Sequence, residues 1–152
     1  MAKSTTQGHE LGRGARARIE QACTQAVAGK LAVRQLTCWL AGSGVCESEF
    51  RVLWHLQAVA DATAATPTSS PVALPNGRLD QADLAERLAA SPAQISAVVD
   101  RLRRRGLAVC ESHPADRRRQ LWRLTPEGRA LVFEVVAAVD APSTDSAKKE
   151  AA

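Results

Sequence analysis

The chain has no tyrosine, one methionine, two phenylalanines and three tryptophans in 152 residues, so aromatics make up only 3%. A core must then be built mostly from Ala, Val and Leu, which suits closely packed helices. No apolar run approaches the ~20 residues of a membrane span, and the first residues lack the apolar centre of a secretory signal. The expectation is a cytoplasmic chain with no membrane partner. The four cysteines, Cys23, Cys38, Cys46 and Cys110, form no CxxC pair and no zinc-finger spacing. In a reducing compartment they read as free thiols. Cys110 and His113 are close in sequence, but no further ligand flanks them, so neither a metal nor another cofactor is expected. His9 and His55 are scattered, and His55 reads as a partly buried helix residue. There is no glycine-rich phosphate loop, no nucleophile–base arrangement and no paired carboxylate pattern. The chain does not read as an enzyme.

What is present is an ordinary apolar fraction, 45%, enough for one domain with tails. The net charge is +4 and the pI about 9.2. The local charge is stronger. Between Asp100 and Arg129 lie Arg101, Arg103, Arg104, Arg105, Arg117, Arg118, Arg119, Arg123 and Arg129, against Asp100, Glu111, Asp116 and Glu127. Such a concentrated field favours a polyanion; the plainer alternative is a solvated arginine surface.

Along the chain, residues 1–14 are polar and glycine-bearing and read as a disordered tail. A single domain follows over 15–141. Its first helix, about 15–40, carries Ile19, Cys23, Ala26, Val27, Leu31, Val33, Cys38 and Leu40 on an apolar stripe, which makes Cys23 and Cys38 core candidates. Gly29 weakens that helix by ~1 kcal/mol relative to Ala, and Gly42-Ser43-Gly44 stops it. A second helix over 47–60 buries Phe50, Leu53, Trp54 and Leu56, with Cys46 as N-cap and Glu49 completing a capping box. Residues 61–77, with Pro67, Pro71 and Pro75, read as a flexible insert. Asp80 caps a third helix carrying Leu84, Ala85 and Leu88, which ends at Ala89-Ala90. Ser91, Pro92 and Gln94 then open a fourth, with Ile95, Val98, Val99 and Leu102 as its stripe and Gly106 as its terminator. Two short helices joined by a tight turn make a helix-turn-helix. Strands at 107–112 and 120–124 flank a turn marked by Pro114 and Asp116. Thr125-Pro126-Glu127 starts a last helix whose apolar face is Leu131, Val132, Val135, Val136 and Val139. Pro142 ends it, and 142–152 read as a second disordered tail.

A helix sized for the major groove beside a basic hairpin sized for the minor groove is a duplex-reading arrangement. Three segments also carry a resemblance. Val45-Cys46-Glu47-Ser48-Glu49-Phe50-Arg51-Val52-Leu53 matches a helix start of the multiple-antibiotic-resistance regulator (MarR) family. Val99-Asp100-Arg101-Leu102-Arg103-Arg104-Arg105-Gly106-Leu107 is similar to the end of that family's recognition helix. Asp116-Arg117-Arg118, followed by Leu124-Thr125 and Gly128, resembles its wing. The resemblance implies an α+β, mainly α, winged helix-turn-helix with N- and C-terminal dimerisation helices. It implies a homodimeric regulator of transcription, usually a repressor, bound to double-stranded DNA, with Arg118 as the wing arginine and Asp116 orienting it through a charge-assisted pair. The sequence departs from the family at Ala97 and Cys110, where many relatives carry Arg.

The candidate DNA contacts are Ser91, Gln94, Ser96, Ala97 and Arg101 on helix 91–105, and Arg117, Arg118 and Arg119 on the wing, 113–120. Gln can pair bidentately with adenine, and Ser can serve base or phosphate. A guanidinium suits the concentrated negative potential of a narrow minor groove. Each candidate has a plainer role. Ser91 and Gln94 can be a capping pair. Arg103, Arg104 and Arg105 can stabilise a helix C-terminus, and Arg101 can pair within the protein. Cys46, at a helix N-terminus, is the candidate redox sensor, against the plainer reading of inert buried thiols. An effector, small molecule or oxidant, would act by changing the spacing of two recognition helices. Two alternatives stand beside DNA reading: a winged-helix module that meets an acidic protein surface, and a regulator switched by thiol oxidation.

Overall fold

A computed structural model describes residues 6–65, 77–113 and 116–141. Its contacts divide the chain into two units, 1–38 and 39–152. The first unit is helical. Helix α1 (Thr6–Trp39) begins well before Ala15, so 6–14 are helical where a disordered tail is expected, and it passes Gly29 without a break. No proline interrupts it, and scattered glycines cost only ~1 kcal/mol each. From Gly14 onward its side chains are almost all exposed, including Ile19 at 65%, Val27 at 59% and Leu31 at 56%. Cys23 and Cys38 are exposed as well, not core. A lone helix has nothing of its own in which to bury a stripe.

The second unit starts with a turn in which Gly42 and Gly44 hold φ of 87° and 75°, a region that suits a residue without Cβ. Ser43 Oγ donates to the Leu40 carbonyl at 2.7 Å. Helix α2 (Glu47–Ala65) runs past Ala60 into the expected insert. Its good helix formers Ala58, Ala60, Ala62, Ala64 and Ala65 carry it there. Phe50, Val52, Leu53 and Leu56 are buried, whereas Trp54 is 47% exposed and stacks on Phe50 rather than entering the core. Pro67, Pro71 and Pro75 lie outside the described residues, as do Pro114, Pro142 and the segment after it.

A two-residue strand that the sequence does not advertise, β1 (Leu79–Asp80), leads into α3 (Gln81–Leu88) and α4 (Pro92–Arg104). Strands β2 (Ala108–Ser112) and β3 (Gln120–Leu124) follow, then α5 (Pro126–Asp140). The sheet is antiparallel in the order β1-β3-β2. Ala108 faces Leu124, Cys110 faces Trp122 and Ser112 faces Gln120. Leu53, Leu79, Leu84, Ile95, Leu102 and Leu121 are all but inaccessible and draw α2, the sheet, α3 and α4 into one core. In α5 only Val132 and Val135 of the expected face are buried; Leu131 and Val136 are half-buried and Val139 is 39% exposed.

Candidate nucleic-acid interface

Helix α4 owes its start to a reciprocal cap. Ser91 Oγ accepts from the Gln94 amide at 3.2 Å, and Gln94 Oε1 accepts from the Ser91 amide at 2.9 Å. Pro92 at the first position has no N–H to leave unpaired. Its end is set by Gly106, with φ of 70°; the Leu107 amide reaches back to the Leu102 carbonyl at 2.9 Å. Between these ends Ile95, Val98, Val99 and Leu102 are buried. Ser91, Ala93, Gln94, Ser96 and Ala97 are exposed on the opposite side. Helix periodicity puts Ala93, Ala97 and Arg104 along the middle of that side.

The arginines divide by partner. Glu49, 6% exposed, accepts from Arg101 Nε at 3.0 Å and from Arg105 Nη1 at 3.1 Å. Its Oε2 also takes the Cys46 amide at 3.1 Å. Burial alone would raise the Glu49 pKa; the Cys46 amide and the two guanidiniums outweigh it and hold the carboxyl below its ordinary value. This clamp joins the start of α2 to the end of α4. Arg103 and Arg104 pair with Asp100 on their own helix.

The wing closes at His113, whose amide donates to the Arg119 carbonyl at 2.9 Å. Asp116 Oδ1 accepts from the backbone amide of Arg118 at 3.0 Å. Asp116 therefore shapes the turn through the backbone rather than by gripping the Arg118 guanidinium. Arg119 is held by Asp80: its Nε lies 3.0 Å from Asp80 Oδ2, and its Nη2 contacts the same oxygen. Asp80 meanwhile caps α3, accepting from the Asp83 amide at 2.8 Å. Its pKa lies below the ordinary carboxylate value, because the Asp83 amide and Arg119 outweigh the effect of burial. Arg123 and Arg78 share Glu111 across the sheet, at 2.6 Å and 2.8 Å. Arg117 and Arg118 are exposed, and neither has an acidic side-chain partner among the described residues. Gln81, Ala82, Arg118 and Gln120 line a cleft of about 240 Å³ between the start of α3 and the wing.

Of the expected site residues, Ser91, Gln94, Ser96 and Ala97 thus share the exposed side of α4, while Arg117 and Arg118 stand free on the wing. Arg101 and Arg119 are committed to carboxylates. Glu49 and Asp80, which organise both clamps, read in sequence only as capping residues. Cys46 is exposed, its thiol 3.2 Å from the Ser48 hydroxyl. Glu49 supplies the expected capping-box half through its bond from the Cys46 amide. Cys110 is half-buried, and burial pushes its thiol pKa up. His55 is half-buried on α2. Among the described residues no group of His, Cys, Asp and Glu could hold a metal ion, and no helix is long and apolar enough to cross a membrane.

A family model described as MarR family matches residues 73–119, which span α3, α4 and the first wing strand. Among curated protein sequences none matches this chain. Bordetella bronchiseptica BpsR, whose DNA binding is regulated by 6-hydroxynicotinic acid, is 28% identical over 80% of this chain and 78% of its own, with a TM-score of 0.55. A MarR-family transcriptional regulator from Rhodococcus sp. RHA1 is 25% identical over 82% of this chain and 76% of its own, with a TM-score of 0.63. A cysteine-to-serine mutant of E. coli MarR, solved with operator DNA, covers the same shares at 18% identity and a TM-score of 0.63, a likeness of fold. Residues 73–119 of this chain thus match the MarR family model, and its fold is similar to the winged helix of MarR-family transcriptional regulators.

Proposed function

We propose that this chain is a sequence-specific, double-stranded DNA-binding regulator of transcription that acts as a repressor. Helix α4 reads the major groove and the wing, 113–120, enters the minor groove with Arg118. The observation that carries this reading is the pairing pattern. Most arginines of α4 and the wing are tied to carboxylates, whereas Arg117 and Arg118, at the tip of the wing, pair with none among the described residues. A guanidinium with no protein partner is available to phosphate or to a narrow minor groove. The exposed apolar side chains Ile19, Val27 and Leu31 of α1, and Phe133 and Val139 of α5, favour a homodimer that covers them. Such a dimer presents two recognition helices to a roughly palindromic site. Control by a small-molecule effector is proposed by analogy with BpsR.

The test is fluorescence anisotropy with the duplex upstream of the chain's own gene and with random duplex, across a salt series, beside Arg118→Ala. Upstream binding well above random, a steep salt dependence and a loss of ~1–3 kcal/mol in the variant are expected. Weak binding to both duplexes, indifferent to Arg118, would instead favour a module for an acidic protein surface. Sedimentation at micromolar concentration tests the dimer, and a monomer mass refutes it.

A further inference from the structure

The cap of α4 also decides what the helix offers to a base. The Ser91 backbone amide can only donate, so the Gln94 atom facing it at 2.9 Å must be the oxygen. The amide group is planar, so its orientation is then settled. Nε2 points away with both hydrogens, and it makes no other hydrogen bond among the described residues. The bidentate pairing of Gln with adenine needs the oxygen as acceptor and the nitrogen as donor at once. Here one lone pair of that oxygen is held by the helix start, which turns Nε2 outward as the leading group. Ser91 is committed in the same sense: its oxygen accepts from the Gln94 amide, which leaves its proton outward. The acidic group on this side of the helix, Asp100, is neutralised by Arg103 and Arg104. Ala93 and Ala97 add only methyl groups.

Resting on the DNA-reading function above, we propose that Gln94 is a specificity-determining residue that reads guanine, donating from Nε2 to the adjacent N7 and O6 acceptors, in preference to the adenine pair. Guanine is the base whose major-groove edge places two acceptors side by side, which an outward NH2 with both hydrogens free matches best. The exposed methyls of Ala93 and Ala97 accept a thymine methyl next to it by apolar contact. The chain thus reads with donors and methyls, and the reason lies in the cap rather than in the type of side chain.

The test is selection from a randomised duplex library by the full-length protein and by Q94E. A carboxylate at this position still accepts from the Ser91 amide, so the cap survives, but the outward donor becomes an acceptor. One position in each half-site is expected to change from guanine to cytosine, whose N4 amino group donates to a carboxylate. The wild type should prefer guanine there on the order of tenfold. A second arm leaves the protein untouched. 7-Deazaguanine at that position, or scanned through the enriched site if Q94E does not fold, should weaken wild-type binding several-fold at one guanine per half-site. Adenine at the Gln94 position, an enriched motif that Q94E leaves unchanged, or indifference to every 7-deazaguanine would overturn the inference while leaving the regulator reading intact. A wild type that enriches no sequence would overturn that reading, and this inference with it.

Discussion

Replacing Glu49 with alanine tests whether the buried clamp holds α4 to the rest of the unit. Glu49 is 6% exposed and ties three groups: the Cys46 amide, Arg101 and Arg105. Loss of a side-chain acceptor at a helix start costs about 0.5–2 kcal/mol. The guanidiniums contribute less, because their side chains are 43% and 38% exposed and rehydrate when released. Each is worth roughly 0.2–1 kcal/mol, the scale of surface pairs. Relief of the carboxylate's desolvation works in the opposite direction. The net expectation is a loss of about 1–3 kcal/mol. With a urea slope of about 1–3 kcal/mol per molar for a small protein, the unfolding midpoint should fall by on the order of 1 M at neutral pH. Glu49→Gln retains an oxygen for the Cys46 amide and should lose less. The sign of the pH dependence follows from the depressed pKa of Glu49, where burial is outweighed by the Cys46 amide and the arginines. Its contribution is full above the ordinary glutamate value near ~4.3 and is lost as pH falls through the lower folded value. The gap between wild type and Glu49→Ala should therefore close in acid. An unchanged midpoint at neutral pH would refute the clamp as a stabilising device.

Three further outcomes are expected. Gly128→Ala should destabilise the chain by more than about 3 kcal/mol in thermal or urea unfolding, because its new Cβ would collide with the Leu107 carbonyl oxygen and push α5 off the wing; a near-wild-type midpoint would count against that packing. His55 has a pKa lowered by burial and then by Arg87 and Arg51, so the unfolded chain takes the proton first as pH falls. Stability should decline from about pH 6.5 down to the folded value, and His55→Gln should flatten the profile in that window. In timed alkylation followed by peptide mass spectrometry, exposed Cys46 should be labelled before half-buried Cys110, whose thiol burial pushes up; the reverse order would refute the difference in access and acidity.

Much of the site was legible along the chain because its signals are local. The caps at Asp80 and Ser91 form as the sequence implies, since each acceptor and its amide lie within one helical turn. The two wing strands differ from expectation by a single residue, Leu107, which closes α4 instead. Strand β1 was not legible. Two residues have no periodicity, and Leu79 and Asp80 become a strand only because Trp122 and Leu121 of β3 lie opposite them. Trp54 was misread for a related reason: an apolar side chain says that it can be buried, not that anything packs over it.

The sequence by itself determined the order of the helices and the two wing strands, where α3, α4 and α5 begin, and the placing of a basic turn after a capped helix. Those properties depend on residues a few positions apart. Only the tertiary structure decided which arginines are tied to carboxylates. Arg101 and Arg105 go to Glu49, and Arg119 goes to Asp80, 39 positions away in the chain. No local pattern encodes such a pairing, because it exists only after the hydrophobic core has brought α2, α4 and the wing together. Among the described residues no carboxylate pairs with the guanidinium of Arg117 or Arg118, because the one beside them, Asp116, holds the Arg118 backbone amide instead.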